Sequence, residues 1–105
     1  MINADQIKSY HTRLDALYGY LGIEKKQMLI ADEQDLTHDP NFWDDPKQAE
    51  LVLKNIRSKK IWVDAYEFVE TSLADLNVIF EFYKEGEATQ EEVQGKIDEI
   101  IMEDF

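Results

Sequence analysis

His11, His38 and the carboxylates around the second histidine are the residues whose types could do chemistry. A zinc or manganese site takes several imidazole and carboxylate ligands at a spacing set by a helix or a loop. His38 has Asp35, Asp39 and Asp44 close by in sequence, while His11 stands alone. There is no His-Glu-x-x-His and no i,i+4 histidine pair, so this spacing matches no ligand motif. A structural or solvated role is expected for both histidines. Asp32, Glu33, Asp35 and Asp39 suggest calcium at first sight, but an EF-hand loop needs a central glycine. None lies between Gly22 and Gly86. Among 23 acidic residues, accidental carboxylate pairs are inevitable, and a solvated face is the expected reading.

No phosphate-cradling or nucleophile-elbow pattern occurs: no GxGxxG, no GxxxxGK[ST] and no GxSxG. There is no cysteine, which removes disulfides, thiolate metal sites and a cysteine nucleophile. With no catalytic, cofactor-binding or metal-binding residue identified and no cofactor implied, a non-enzyme is expected.

The 105 residues suffice for one domain with one modest core. Apolar content of 44% is normal for a globular chain. No run of about 18 apolar residues exists, so no membrane span is expected, and the N-terminus lacks an apolar signal core. A cytoplasmic location is the expectation. The net charge is −12, which repels nucleic-acid phosphates. The acid is uneven: residues 86–105 hold seven acids and one base, whereas residues 1–30 hold three acids and four bases.

The elements that must position any site read as helices. Asn3 with Gln6 forms a candidate capping box. Ile7, Tyr10, Leu14, Leu17 and Leu21 then recur at spacings of 3 and 4, one face of a helix over residues 4–21. Gly22 is expected to close that helix or cap the next. A second helix is expected over 23–37, with Met28, Leu29 and Leu36 buried, although Lys25 and Lys26 sit at its start, where the helix dipole disfavours them. Pro40 must stop it. Asp45, Pro46 and Gln48 are suited to cap, first-turn and N3 positions of a third helix.

Between stop and start lies DPNFWDDP, Asp39 to Pro46. Phe42 and Trp43 are expected to plug the open end of the core at this helix–loop–helix corner. Each aromatic would bury about 150–250 Å², worth several kcal/mol at about 25 cal/mol per Å². The third helix has apolar residues at Ala49, Val52, Ile56, Val63, Tyr66, Val69, Leu73, Leu76, Phe80 and Tyr83, with neither Gly nor Pro from Lys47 to Glu85. Such a rod would span roughly 60 Å, and an elongated domain is expected. Leu53, Ile61, Trp62, Phe68, Val78 and Ile79 lie off the main stripe and suggest contacts on more than one side. Trp62, Phe68 and Phe82 are the aromatics expected to remain exposed, as a contact surface. Gly86 is a natural helix stop. Thr89 and Glu92 form a second capping box, opening a helix over 90–104 with Val93, Ile97, Ile100 and Met102 or Phe105 inward. The last residues, MEDF, still spend apolar side chains, which reads as a cut. The sum is an all-α, antiparallel bundle of about four helices with one long central helix.

Three segments carry a family resemblance: RLDALYGYLGIEKK, DPNFWDDPKQAE and IWVDAYEFVETSLADLNVIFEF. They resemble the N-terminal domain of bacterial peptide chain release factor 2. The matching positions are Leu17, Gly19, Tyr20 and Leu21, then Lys25 and Lys26, then Asp39, Pro40, Trp43, Asp45 and Pro46. The resemblance covers nearly the whole chain, and the W-x-D-P corner is its most specific element. Gly22 departs from it, where the family commonly has an acidic cap. The resemblance implies that residues 1–105 form a single α-helical domain, an N-terminal fragment of a larger multidomain factor. It further implies that the intact factor directs peptide release at UGA and UAA codons on the ribosome. The Gly-Gly-Gln and Ser-Pro-Phe motifs for those tasks are not in this sequence, so no codon contact is expected of it. An arm contacting the large-subunit stalk base, around ribosomal protein L11, is the role implied. Lys8, Arg13, Lys25, Lys26, Arg57, Lys59 and Lys60 are the bases expected for any RNA contact, with the acidic last helix turned away. Two other readings compete: a free-standing acidic adaptor for a basic protein, and a metal-dependent enzyme built on His38.

Overall fold

In a computed structural model the described residues are 3–104, and the side chains beyond Ile100 are not among them. Four α-helices follow in order: α1 (Ala4–Tyr20), α2 (Ile23–Leu36), α3 (Pro46–Lys84) and α4 (Gln90–Asp104), with a 3₁₀ turn at Phe42–Asp44. There is no strand among the described residues. The chain is all-α, as expected. It divides into two compact units, one of residues 18–66 and one of residues 1–17 with 67–105.

In the unit of residues 18–66, Gly22 sits in the left-handed region at φ 62°. Its N–H donates to Gly19 O at 3.2 Å, and its carbonyl accepts from Lys26 N at 3.0 Å. It therefore closes α1 and opens α2 together. The core comprises Ile23, Ile30, Val52, Ile56 and Val63, with Tyr18, Leu21, Phe42, Leu53 and Tyr66 packed against it. The rings of Tyr18 and Tyr66 lie 5.4 Å apart between centroids.

The expected burial of α2 is corrected here. Met28, Leu29 and Leu36 are 63, 37 and 54% exposed. The inward stripe is instead Ile23, Lys26, Ile30, Glu33 and Thr37, at spacings of 3, 4, 3 and 4. Two of its members carry charge, which hid the periodicity. Both are half-buried because each has a partner: Lys26 Nζ donates to the Leu21 carbonyl, and Glu33 Oε1 lies 2.6 Å from Lys59 Nζ. Lys26 thus satisfies a carbonyl left over near the end of α1, offsetting its unfavourable place in the first turn of α2.

In the other unit, the buried apolar residues are Ile7 and Leu14 of α1, Val69, Leu73, Leu76 and Phe80 of α3, and Val93, Ile97 and Ile100 of α4, with Ser72 of α3 buried beside them. Gly86 adopts φ 79°, with Gly86 N donating to Tyr83 O and Glu87 N to Phe82 O. Those two bonds are a Schellman closure. The Thr89–Glu92 box is reciprocal: Glu92 N donates to Thr89 Oγ1 at 3.1 Å, and Thr89 N to Glu92 Oε1 at 3.3 Å. At α1 only half of the expected box forms. Gln6 N donates to Asn3 Oδ1 at 2.9 Å, but the Gln6 amide turns to the Tyr10 hydroxyl. The inward positions proposed at Met102 and Phe105 lie outside the described side chains.

Every main-stripe residue expected on α3 is buried or half-buried. The stripe alternates spacings of 3 and 4 from Ala49, if half-buried Lys59 is counted, until Val63–Tyr66–Val69, where two steps of 3 follow each other. A step of that kind shifts the phase of a helical seam, and it falls where the chain divides into its units. The residues off the stripe are corrected. Ile61 and Val78 are exposed, and only Leu53 and Ile79 are half-buried; for Trp62 and Phe68, expected either to meet a second contact or to stay exposed, exposure is the outcome.

Candidate functional site

The Asp39–Pro46 corner forms one hydrogen bond at a time. Thr37 N, His38 N and Asp39 N donate to Gln34 O, Asp35 O and Leu36 O, which unwinds the end of α2. Asn41 N donates to Asp39 Oδ1 at 2.8 Å, bridging Pro40 in an Asx-turn. Phe42 N donates to Asp39 O and Asp44 N to Asn41 O. Asp45 is extended, as the residue before a proline must be. Its Oδ1 then accepts from Gln48 N at 3.2 Å, the expected cap of α3.

The two-ring plug is half right. Phe42 packs against the core of its unit, but Trp43 is 59% exposed. The two rings meet edge to face, with centroids 4.8 Å apart at 89°. The reason lies in the turn. Successive residues of a 3₁₀ turn project about 120° apart, so one ring faces the core and its neighbour faces out. Trp43 covers Phe42 from the solvent side.

Beside the corner lies an open depression of about 310 Å³, lined by Leu36, Asp39, Asn41, Phe42, Asp45, Gln48 and Val52. Its carboxylates, Asp39 and Asp45, already accept backbone bonds that shape the turn. The corner motif is therefore explained by folding: Asp39 closes an Asx-turn, Asp45 caps α3, and each proline starts or stops a helix.

A second depression, of about 360 Å³, lies in the unit of α1, α4 and the later part of α3. Lys8, His11, Asn77, Phe80, Glu81 and Lys84 line it. His11 Nε2 is within hydrogen-bond distance of Asn77 Oδ1, at 3.1 Å. Lys84 pairs with Glu81 at 2.9 Å and stands over the Phe80 ring at 5.4 Å. His11 is thus matched with Asn77 and Lys84 with Glu81, and no lining group is arranged as a nucleophile with a base. His38 is exposed, and among the described residues no three His, Asp or Glu side chains stand where they could share a metal ion. No described helix is long and apolar enough to cross a membrane.

Of the bases expected for RNA contact, Lys26 and Lys59 are occupied by the Leu21 carbonyl and Glu33. Lys8, Lys25, Arg57 and Lys60 are exposed. Apolar side chains add a further contact surface: Trp62, Phe68 and Phe82 are exposed as expected, joined by Leu51, Ile61 and Val78. Sequence reasoning placed the last two inside because an apolar residue on a long helix reads as core by default.

Comparison with known proteins gives a set of similar chains of one name. Peptide chain release factor 2 of Staphylococcus saprophyticus is 32% identical over 71 residues, 68% of this chain and 19% of the relative. The factor of the same name from Staphylococcus haemolyticus is 28% identical over 87% of this chain and 23% of the relative. That of Staphylococcus aureus is 26% identical over 94% of this chain and 24% of the relative. The chain thus spans about a fifth to a quarter of the length of these relatives. No family model and no solved structure matches.

Proposed function

We propose, taking the chain's relationship to peptide chain release factor 2 as the premise, that it is the N-terminal helical domain of a translation termination factor. Within the intact factor it is a positioning arm that contacts the large-subunit stalk base near ribosomal protein L11. Stop-codon reading at UGA and UAA and the hydrolysis of peptidyl-tRNA belong to residues outside this sequence. The observation that carries the reading is similarity across up to 94% of the chain to proteins of one name.

The arm's physical character supports a protein-facing role. It is acidic overall, most polar groups of its two depressions are bonded within the chain, and it exposes several large apolar side chains. An acidic surface meets basic ribosomal proteins more readily than bare RNA.

The test uses purified ribosomes and the chain as it stands. Cross-linking should recover contacts to the stalk base, and the chain alone should release no peptide from ribosomes halted at a stop codon. Cross-links confined to other regions of the ribosome, or peptide release by the chain itself, would overturn the proposal. The exposed aromatics also favour a second reading, an acidic adaptor for a basic partner away from the ribosome. Retention of such a partner by a ribosome-free extract, with no ribosomal cross-link, would select it.

A further inference from the structure

One apolar stripe on α3 is left uncovered within the unit that includes residues 67–85. Phe68, Val78 and Phe82 are 40, 54 and 45% exposed. Thr71 and Asp75, also exposed, complete the series 68–71–75–78–82, at spacings of 3, 4, 3 and 4, with Asp75 Oδ2 3.6 Å from Lys96 Nζ of α4. At 3.6 residues per turn these five share one face. The buried Val69, Leu73, Leu76 and Phe80 point the other way.

A seam spaced in this alternation is what a second helix packs onto at a shallow crossing angle. The flank decides what kind of helix. Glu67, Glu70, Glu81 and Glu85 follow one edge of the stripe, all exposed, with Glu81 paired to Lys84. Carboxylates beside an apolar seam complement a helix whose own seam is flanked by Lys or Arg. A second copy of this chain would set carboxylates against carboxylates, and nucleic acid would set phosphates against them.

We propose that the Phe68–Val78–Phe82 stripe is a docking surface for a Lys- and Arg-rich amphipathic helix of a partner protein. That a ribosomal protein supplies this helix rests on the function proposed above; the chemistry of the surface does not.

The probe is a labelled peptide about three heptads long, with Leu at the seam positions and Lys on both flanks. A scrambled peptide of the same composition is the control. Binding to the full chain is read by anisotropy at physiological ionic strength. The seamed peptide should bind roughly tenfold or more tighter than the scrambled one. Phe68→Ala/Phe82→Ala and Val78→Lys should each weaken it by at least about tenfold, because seam contacts are lost. Leu51→Ala/Trp62→Ala should leave it unchanged. Each variant is accepted only with unaltered helicity, and amide shifts on binding should cluster at residues 68–82.

Equal binding of the two peptides would reduce the effect to general charge attraction and overturn the proposal. So would amide shifts confined to another face, a dimer that Phe82→Ala dissolves, or binding of a labelled RNA hairpin to the chain itself that Phe82→Ala abolishes. Ribosome cross-links lying away from residues 68–82, with no seamed-peptide binding, would remove this inference and leave the arm reading intact. Seamed-peptide binding without any ribosome cross-link would do the reverse.

Discussion

Lys59 Nζ lies 2.6 Å from Glu33 Oε1 and ties α3 to α2 across 26 residues of sequence. Both side chains are half-buried, so water screens the pair less than it would at an open surface. The pair also lets a carboxylate occupy an inward position of α2 without standing unpaired. A double-mutant cycle of Lys59→Ala and Glu33→Ala, followed by urea denaturation, should give a coupling energy of about 1 kcal/mol. A coupling near zero would mean that each side chain contributes only its stem.

Phe42 and Trp43 adjoin in sequence but differ in burial. Phe42→Ala removes a ring packed on the core of its unit and should cost about 2 kcal/mol, below the usual cost of a fully buried ring. Trp43→Ala, at a ring 59% exposed, should cost under about 1 kcal/mol. Thermal or urea unfolding of the two variants checks the order. The reverse order would restore Trp43 as the plug.

Two glycines hold conformations that other residues resist. Gly22 and Gly86 have φ of 62° and 79°, and space is open around both, so an added methyl meets no clash. The cost of Gly22→Ala and Gly86→Ala is then backbone strain alone, about 1–2 kcal/mol each. The exposed helical Gly95 should behave oppositely, with Gly95→Ala stabilising by about 0.5–1 kcal/mol. Urea midpoints of the three variants give the comparison.

How much of this fold the sequence discloses depends on which residues carry the signal. α3 and α4 were legible because their inward positions are nearly all apolar and their ends carry strong caps: Asp45 at the start of α3, Gly86 at its end, Thr89 and Glu92 at the start of α4. The corner was legible because prolines and capping acids act locally. Trp43 was misplaced because its direction depends on the 3₁₀ turn, a three-residue detail that ring size overrides in any reading by composition. The exposed stripe on α3 was only partly legible. Phe68 and Phe82 stand out in the sequence as surplus aromatics, but Val78 reads as part of a second contact face. Periodicity reports that an apolar seam exists, not whether anything in the same chain covers it.

The helix α2 shows the opposite failure and supplies its own test. Its apolar residues misdirect, because Met28, Leu29 and Leu36 are exposed while Lys26 and Glu33 lie inward with partners. The phase is set by Ile23 and Ile30, seven residues apart and both buried. Ile30→Ala should therefore cost about 2–4 kcal/mol through lost transfer energy and a cavity. Leu29→Ala, one residue away, should cost under about 1 kcal/mol. The comparison is direct, since both changes end in alanine on the same helix and helix propensity differs little between Leu and Ile. Unfolding in urea with an unchanged slope would show that only stability moved. If Leu29→Ala proved the costlier change, α2 would be rotated by about 100° from its place in this structure, and the Lys59–Glu33 pair could not form.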